Sequence, residues 1–314
     1  LLEAEAVKAE GMRRGRTPPV GVKYQPAREV TGWREWHFFF ERIEKPPDFN
    51  QDLQAICKAK LQAIPLGTQD LEGRLAKYKR QGPEQLDFRR FLATHHSLAQ
   101  LWSYDGNMEA AIENFQAAYQ IAVAQGLKAT ELDLEAKLGI AHLHRGEGEN
   151  RVNNQAKSFI FPLSPQTRHK LASSSENAIK HFRKYLDQKP NDLEVKWLLN
   201  IAYIYLGKYP HGVPKEHLIS PAAFKSKEDI GRFVDVAPSL GLDTFSMAGG
   251  TIMDDFDNDG CLDVVFSSRD LCAPLQYFRN HGDGTFSDRS SPSGLSKQVG
   301  GLNILQTDYN NDGW

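Results

Sequence analysis

The run Asp255-Phe256-Asp257-Asn258-Asp259-Gly260-Cys261-Leu262-Asp263 places side-chain oxygens at its positions 1, 3, 5 and 9. A glycine stands at position 6, where the backbone must turn sharply. Hard cations such as calcium take about six to eight oxygen ligands at ~2.3–2.6 Å, and alternate acidic residues in a tight loop supply them. Four carboxylates so close in sequence repel one another unless a cation lies between them. An EF-hand loop needs glutamate at position 12 and flanking helices, whereas position 12 here is Phe266. Leu262 to Phe266 alternates and is rich in β-branched residues, so the loop is expected to lead into a strand over 262–268. Asp254 precedes the run, and strand alternation points it away from Asp255.

The loop recurs in register. Asp308-Tyr309-Asn310-Asn311-Asp312-Gly313 lies 53 residues after its first copy (Asp255 to Asp308). The same shift aligns Gly231 with Gly284, Phe233 with Phe286, Asp235 with Asp288 and Gly241-Leu242 with Gly294-Leu295. A fixed period near 50 residues, built of short strands and glycine turns, marks a propeller blade or a β-solenoid rung. Within it, Asn280, Asp283 and Gly284 are expected to turn a hairpin between Gln276-Tyr-Phe-Arg and Thr-Phe-Ser. The second copy runs out at Trp314 and the chain opens on Leu1, so the sequence reads as a piece of a longer protein.

Residues upstream of about 215 follow a helical pattern instead. Leu98, Ala99, Trp102, Gly106, Ala111, Phe115 and Ala118 occupy the large and small packing positions of a 34-residue helix-turn-helix unit, with the glycine at the turn. A second copy begins at Leu138-Gly139, His142 and Gly146 and resumes, after an insertion over about 147–174, at Ala178, Phe182, Tyr185 and Pro190. A third first-helix spans Trp197 to Tyr205; Pro210, Gly212 and Pro214 deny it a partner. The layout expected is an N-terminal helical or irregular segment (1–83), a helical array (84–215), a linker (216–230) and a β-repeat region (231–314). The fold class is multidomain α plus β.

Composition narrows the function. With 38 basic and 40 acidic residues, the net charge of −2 matches neither a nucleic-acid binder nor a polyanion. No apolar run approaches the ~18–20 residues that span a bilayer. The three cysteines make no framework; Cys261 and Cys272 either pair in an oxidising compartment or remain half-buried thiols. His95-His96, His142 and His144 sit in helical patterns as packing or surface groups, Ser173–Ser175 read as helix capping, and the aromatic group Trp33 to Phe40 reads as helix core. Phosphate loops and hydrolase or metalloprotease motifs are missing from the sequence.

The helical half resembles tetratricopeptide repeats. The region from Gly231 resembles the VCBS/FG-GAP-type calcium-loop repeats of the cartilage acidic protein (ASPIC/UnbV) family. The resemblance rests on Phe233 to Ala237, Gly241-Leu242, Gly249-Gly250, Asp255 to Asp263, Phe278 to Phe286 and Gly301-Leu302-Asn303. Asn310 departs from it by replacing the second aspartate of the second loop. The resemblance implies an incomplete β-propeller, one full blade and the start of another, carrying Ca2+. By position, Asp255, Asp257, Asp259 and Asp263 would give side-chain oxygens and Cys261 a backbone carbonyl; in the second loop Asp308, Asn310 and Asp312 match.

Two functions compete at this point. One is a non-catalytic scaffold that takes a protein or peptide in the helical groove and presents the propeller surface to a protein or glycan. The other is an enzyme with its active site in the complete propeller channel, discriminated by titratable groups converging on the propeller axis. Short calcium loops without a helical clamp suit ~10⁻⁴–10⁻³ M calcium, so export to the periplasm or cell surface is expected.

Overall fold

The computed structural model describes residues 31–47, 49, 52–81, 86–151, 168–225, 228, 231, 233–244, 249–270 and 272–308. Within these, helices come first and a small antiparallel sheet follows, an α plus β arrangement.

Helices α1 (Trp33–Phe40), α2 (Leu53–Arg80), α3 (Phe88–Asp105), α4 (Met108–Ala124), α5 (Lys128–Arg151), α6 (Ser173–Leu186) and α7 (Leu193–Tyr205) each pack against the next. Their starts are written locally. The side chains of Asp52, Asp87, Asn107 and Asp192 accept from backbone N–H groups two or three residues on, opening α2, α3, α4 and α7. Such caps satisfy donors that lack an intrahelical partner. Gly106 ends α3 at φ 87°, the left-handed conformation that glycine adopts without strain. Between α3, α4 and α5 the core mixes small and large residues: Ala99, Ala118, Ala122 and Ala141 beside Phe115, Leu134 and Leu138. A second cluster joins Trp36 and Phe39 of α1 to Leu71, Leu75, Leu98 and Leu101, so α1 and α2 belong to the stack.

Several local expectations change. Of the aromatic group, Trp36 and Phe39 are buried while Trp33 and Phe38 stay exposed. Gly146, the counterpart of Gly106 in the second copy, lies inside α5, which continues to Arg151. Ser173–Ser175 do not cap α6, whose start carries no side-chain cap. Ser174 Oγ instead donates to Glu149 Oε2 at 2.8 Å, and Ser175 Oγ pairs with His169 Nδ1 at 3.0 Å. Residues 152–167 of the expected insertion lie outside the described residues. After Tyr205 the chain passes through turns, a 3₁₀ turn (Pro221–Phe224) and a short helix α8 (Ala237–Leu240). Among the described residues, no helix is long and apolar enough to cross a membrane.

Glu135 of α5 is almost fully buried. It accepts from His181 Nδ1 at 2.7 Å and from Lys184 Nζ, which also reaches Tyr119. Burial pushes its carboxyl up, but the bonds from His181, Lys184 and Tyr119 together outweigh it and bring it to about 2. The charge is thus compensated, as a buried carboxylate requires, and it joins α4, α5 and α6.

Strands β1 (Thr251–Asp254), β2 (Asp263–Phe266), β3 (Gln276–Asn280) and β4 (Phe286–Asp288) form a meander in the order β1-β2-β3-β4. The strand expected over 262–268 is β2, shorter at both ends. Instead of alternating, it is buried at Asp263, Val264 and Val265 in succession. The hairpin expected around 280–285 forms, with Asn280 opposite Phe286 and Phe278 opposite Asp288. Apolar burial in the sheet is thin: Val264, Val265 and Phe278 are buried, while Met253 is exposed, as are Phe233 and Leu305 in the segments before and after the strands.

The cysteines pair differently from the Cys261–Cys272 alternative. Cys272, between β2 and β3, is bonded to Cys57 of α2 across 215 residues of sequence, and Cys261 is a free thiol. That bridge ties the helical stack to the sheet covalently.

Candidate metal centre

The acidic run is the β1–β2 connection. Asp254 and Asp263 are opposed in register at its base, so the loop is pinned at both ends by strand pairing. Asn258 and Gly260 take positive φ, 60° and 85°, the reversals that asparagine and glycine accommodate best. The loop is then wound around its own carboxylates. Asp255 Oδ1 accepts from the Asp259 N–H at 3.0 Å and its Oδ2 from the Gly260 N–H at 2.8 Å. Asp259 Oδ1 accepts from the Cys261 N–H at 2.8 Å.

This winding brings Asp255, Asp257 and Asp259 together, one carboxylate oxygen of each lying within 4.8 Å of the others. Two oxygens on opposite sides of an ion bound at ~2.4 Å are at most about 4.8 Å apart. The donor set, all hard oxygen and threefold negative, therefore fits calcium. Asp255 is half-buried and the other two face solvent, which leaves the site open to diffusion. The Cys261 N–H holds the Asp259 carboxyl below its ordinary range, and the Arg279 guanidinium adds to this. The Cys261 thiol is pushed up by desolvation first and by the neighbouring carboxylates second.

Asp263 is placed differently. It is fully buried, and its oxygens accept from the Asn280 N–H at 2.8 Å and the Tyr277 hydroxyl at 2.7 Å. It stands behind the loop, bonded to β3, rather than among the three converging carboxylates. Burial and Asp263 together raise the Tyr277 phenol well above its usual range, so it remains a donor to that carboxylate. Asn280 closes the other side, its Nδ2 donating to Leu262 O at 3.0 Å. Asp254 is no spectator: Oδ1 accepts from the Asp255 N–H at 2.9 Å and Oδ2 from Gln306. In the second copy Asp308 is described, while Asn310 and Asp312 lie outside the described residues. Asp283 serves its turn, accepting from the Thr285 N–H at 2.9 Å and hydroxyl at 2.6 Å.

Arg279 is the residue that sequence reading did not bring to the site. It reaches across from β3, its Nη2 donating to Asp259 Oδ2 at 3.0 Å and its Nε paired with Asp257 Oδ2. The available signal was period-two alternation, which puts Tyr277 and Arg279 on one face of β3 once β3 is paired with β2.

Neither the curated proteins nor the solved structures contain a match to this chain. The family model of the FG-GAP-like repeat does match, over residues 255–314, which contain the whole of the acidic loop and strands β2 to β4.

Proposed function

We propose that the loop binds calcium and that the protein is an exported, non-catalytic interaction protein. In this reading the helical stack is a tetratricopeptide-type array that receives a protein or peptide. The sheet is one blade of a VCBS/FG-GAP propeller of the ASPIC/UnbV type, presenting a stiff surface to a protein or glycan. The observation that carries the reading is the convergence of three carboxylates within one coordination diameter, inside a segment that matches the FG-GAP-like repeat. Asp255, Asp257 and Asp259 would hold the ion, with the Cys261 carbonyl the next ligand that the repeat implies; Asp263, which the repeat implies as well, stands behind the loop on Asn280 and Tyr277. When bound, calcium neutralises the mutual repulsion of these groups. The residues themselves fix the β1–β2 turn through the bonds from the Asp259, Gly260 and Cys261 amides.

Export is supported by the Cys57–Cys272 bridge, because structural disulfides persist in oxidising compartments and are rare in cytosol. The same compartments hold enough calcium for a loop of modest affinity.

Calorimetric titration of metal-free protein with calcium tests the reading. Binding of one ion per acidic loop, lost in Asp257→Ala, is expected. Heat signals identical in the two proteins would remove the assignment.

A further inference from the structure

We propose that Arg279 is a resident counter-ion of the loop: a built-in cation that holds Asp257 and Asp259 together without metal and must leave them for a divalent ion to bind. The inference rests on the calcium reading above and concerns how that site is regulated.

Three observations point to Arg279. Its guanidinium engages one oxygen from each of two of the three converging carboxylates, Asp257 and Asp259. The third, Asp255, needs no such partner, because both its oxygens already accept backbone N–H groups of the loop. The side chain is also imperfectly satisfied: its Nε is buried and makes no hydrogen bond, although it is ion-paired with Asp257. It is held by charge rather than by the fork-to-fork geometry that makes arginine–carboxylate pairs strong.

Competition follows from charge. A divalent ion that draws on Asp257 and Asp259 attracts the oxygens that now face the guanidinium. Two cations sharing the same pair of carboxylates at a few ångströms repel each other. Arg279 does not cancel the loop: one positive charge against Asp255, Asp257 and Asp259 leaves it acidic and still attractive to a divalent cation. The expected consequence is a site with lowered affinity, suited to a compartment where calcium is plentiful, and a loop that keeps its shape when the ion leaves. Release of the guanidinium on filling would add a free positive charge on the β3 side of the loop.

Arg279→Gln in the full chain separates this from a merely structural role. Calcium alone is titrated into metal-free wild type, Arg279→Gln and Arg279→Lys, and thermal melting is recorded in chelator. Arg279→Gln is expected to bind calcium on the order of tenfold more tightly while melting earlier in chelator. Arg279→Lys, which keeps the charge but not the fork, should lie between. A gain in affinity cannot arise from loss of structure. Wild-type binding with an unchanged or weaker affinity in Arg279→Gln overturns the counter-ion role and leaves the calcium reading standing. Absence of binding in all three proteins overturns both. Binding in Arg279→Gln but not in wild type supports the proposal in its strongest form.

Discussion

The helical stack and the four-stranded sheet obtain their order from different sources. In the stack, continuous apolar clusters run from Trp36 through Leu101 and from Ala99 through Leu138, with Phe115 and Phe182 almost wholly enclosed. Two of its buried polar side chains are well partnered: Glu135 accepts from His181 and Lys184, and Asn200 donates to the carbonyls of Lys196 and His217. The sheet buries Val264, Val265 and Phe278 and leaves Met253 in solvent; Phe233 and Leu305, in the segments before and after it, are exposed as well. Four short strands with so little core are marginal alone. What holds the sheet is polar and covalent: the self-wound aspartate loop, Asp263 between Tyr277 and Asn280, and the disulfide to α2. Apolar burial is insensitive to ions, reductants and mild acid, and polar or covalent ties are not. The two regions should therefore fail under different conditions.

The largest separation is expected on acidification, and it runs against the simplest form of that rule. Burial pushes His142 down to about 4, with the His181 charge contributing, and burial also pushes His169 down to about 4. His96 falls to about 4 through desolvation and the ammonium of Lys137, which donates to its Nε2 at 2.6 Å. A folded-state value depressed below the ordinary 6.5 means stability that is complete above pH 6.5 and drains as pH falls from there towards 4. Glu135 in the stack, and Asp259 and Asp283 in the sheet, have depressed carboxyls. These groups lose their contribution only below the ordinary carboxylate range. Between pH 6.5 and 4 the stack alone should weaken, by several buried imidazoles together. Helical ellipticity at 222 nm during thermal melts at pH 7, 5.5 and 4.5 should show an early loss at low pH. A melting temperature that is flat across this window would refute it.

Next in size is the core of the stack. Phe182 is fully buried, and its ring lies so close to Gly139 that a Cβ there would meet it at 2.4 Å. Phe182→Ala should cost about 3–5 kcal/mol and leave calcium binding by the loop unchanged. Loss of calcium binding together with the helices would show that the regions are not separable. The sheet's covalent tie comes third. Removing a native disulfide costs about 2–5 kcal/mol, so Cys272→Ser, or treatment with a dithiol, should expose residues 249–308 to limited proteolysis while helicity persists. Equal protease resistance with and without the bridge would assign the sheet a core that its exposed residues do not indicate.

How much of this was written in the sequence follows the same division. Helix starts are written locally, in aspartate and asparagine caps that act within three residues, although the only capping read from the sequence was at Ser173–Ser175, where no side-chain cap forms. The loop and the 280–285 hairpin were legible because their chemistry is also local. The failures are long-range. Cys57 finds Cys272 across 215 residues, a pairing that no spacing rule contains, and Cys261 was the nearer decoy. Arg279 reaches Asp257 and Asp259 because β3 pairs with β2, a tertiary fact. Ser174 and Ser175 stand where capping serines are common, yet Glu149 and His169 take their hydroxyls once α5 and α6 pack. The helix inside which Gly146 lies runs on for the same reason: neighbours outweighed a local turn preference.

Calcium should sharpen the comparison further. An ion that binds only the folded loop adds RT ln(1 + [L]/Kd), about 2.7 kcal/mol at a hundred times Kd. Chelator should lower the transition of the sheet, followed by near-ultraviolet signals of Tyr277, without moving the helical transition. Asp257→Ala should abolish that calcium dependence. A chelator effect of equal size on both transitions would mean that they unfold as one unit.

The smallest effect separates holding the loop from holding the ion. Asp254 lies outside the alternating positions, yet it accepts from the Asp255 N–H at 2.9 Å and from Gln306, so it sets where the loop leaves β1. Both bonds are partly open to water, which can replace them, and a hydrogen bond of this kind contributes about 0.5–1.5 kcal/mol net. Asp254→Ala should therefore lower the sheet's melting transition slightly, and by the same amount in calcium and in chelator, because the lost bonds do not involve the ion. Asp257→Ala should show the larger part of its effect in calcium, with only the loss of its ion pair to Arg279 remaining in chelator. The double variant should be additive, since one substitution acts on the strand end and the other on the ligand set. A loss in Asp254→Ala confined to calcium would place Asp254 in the coordination set and move the centre of the site towards β1.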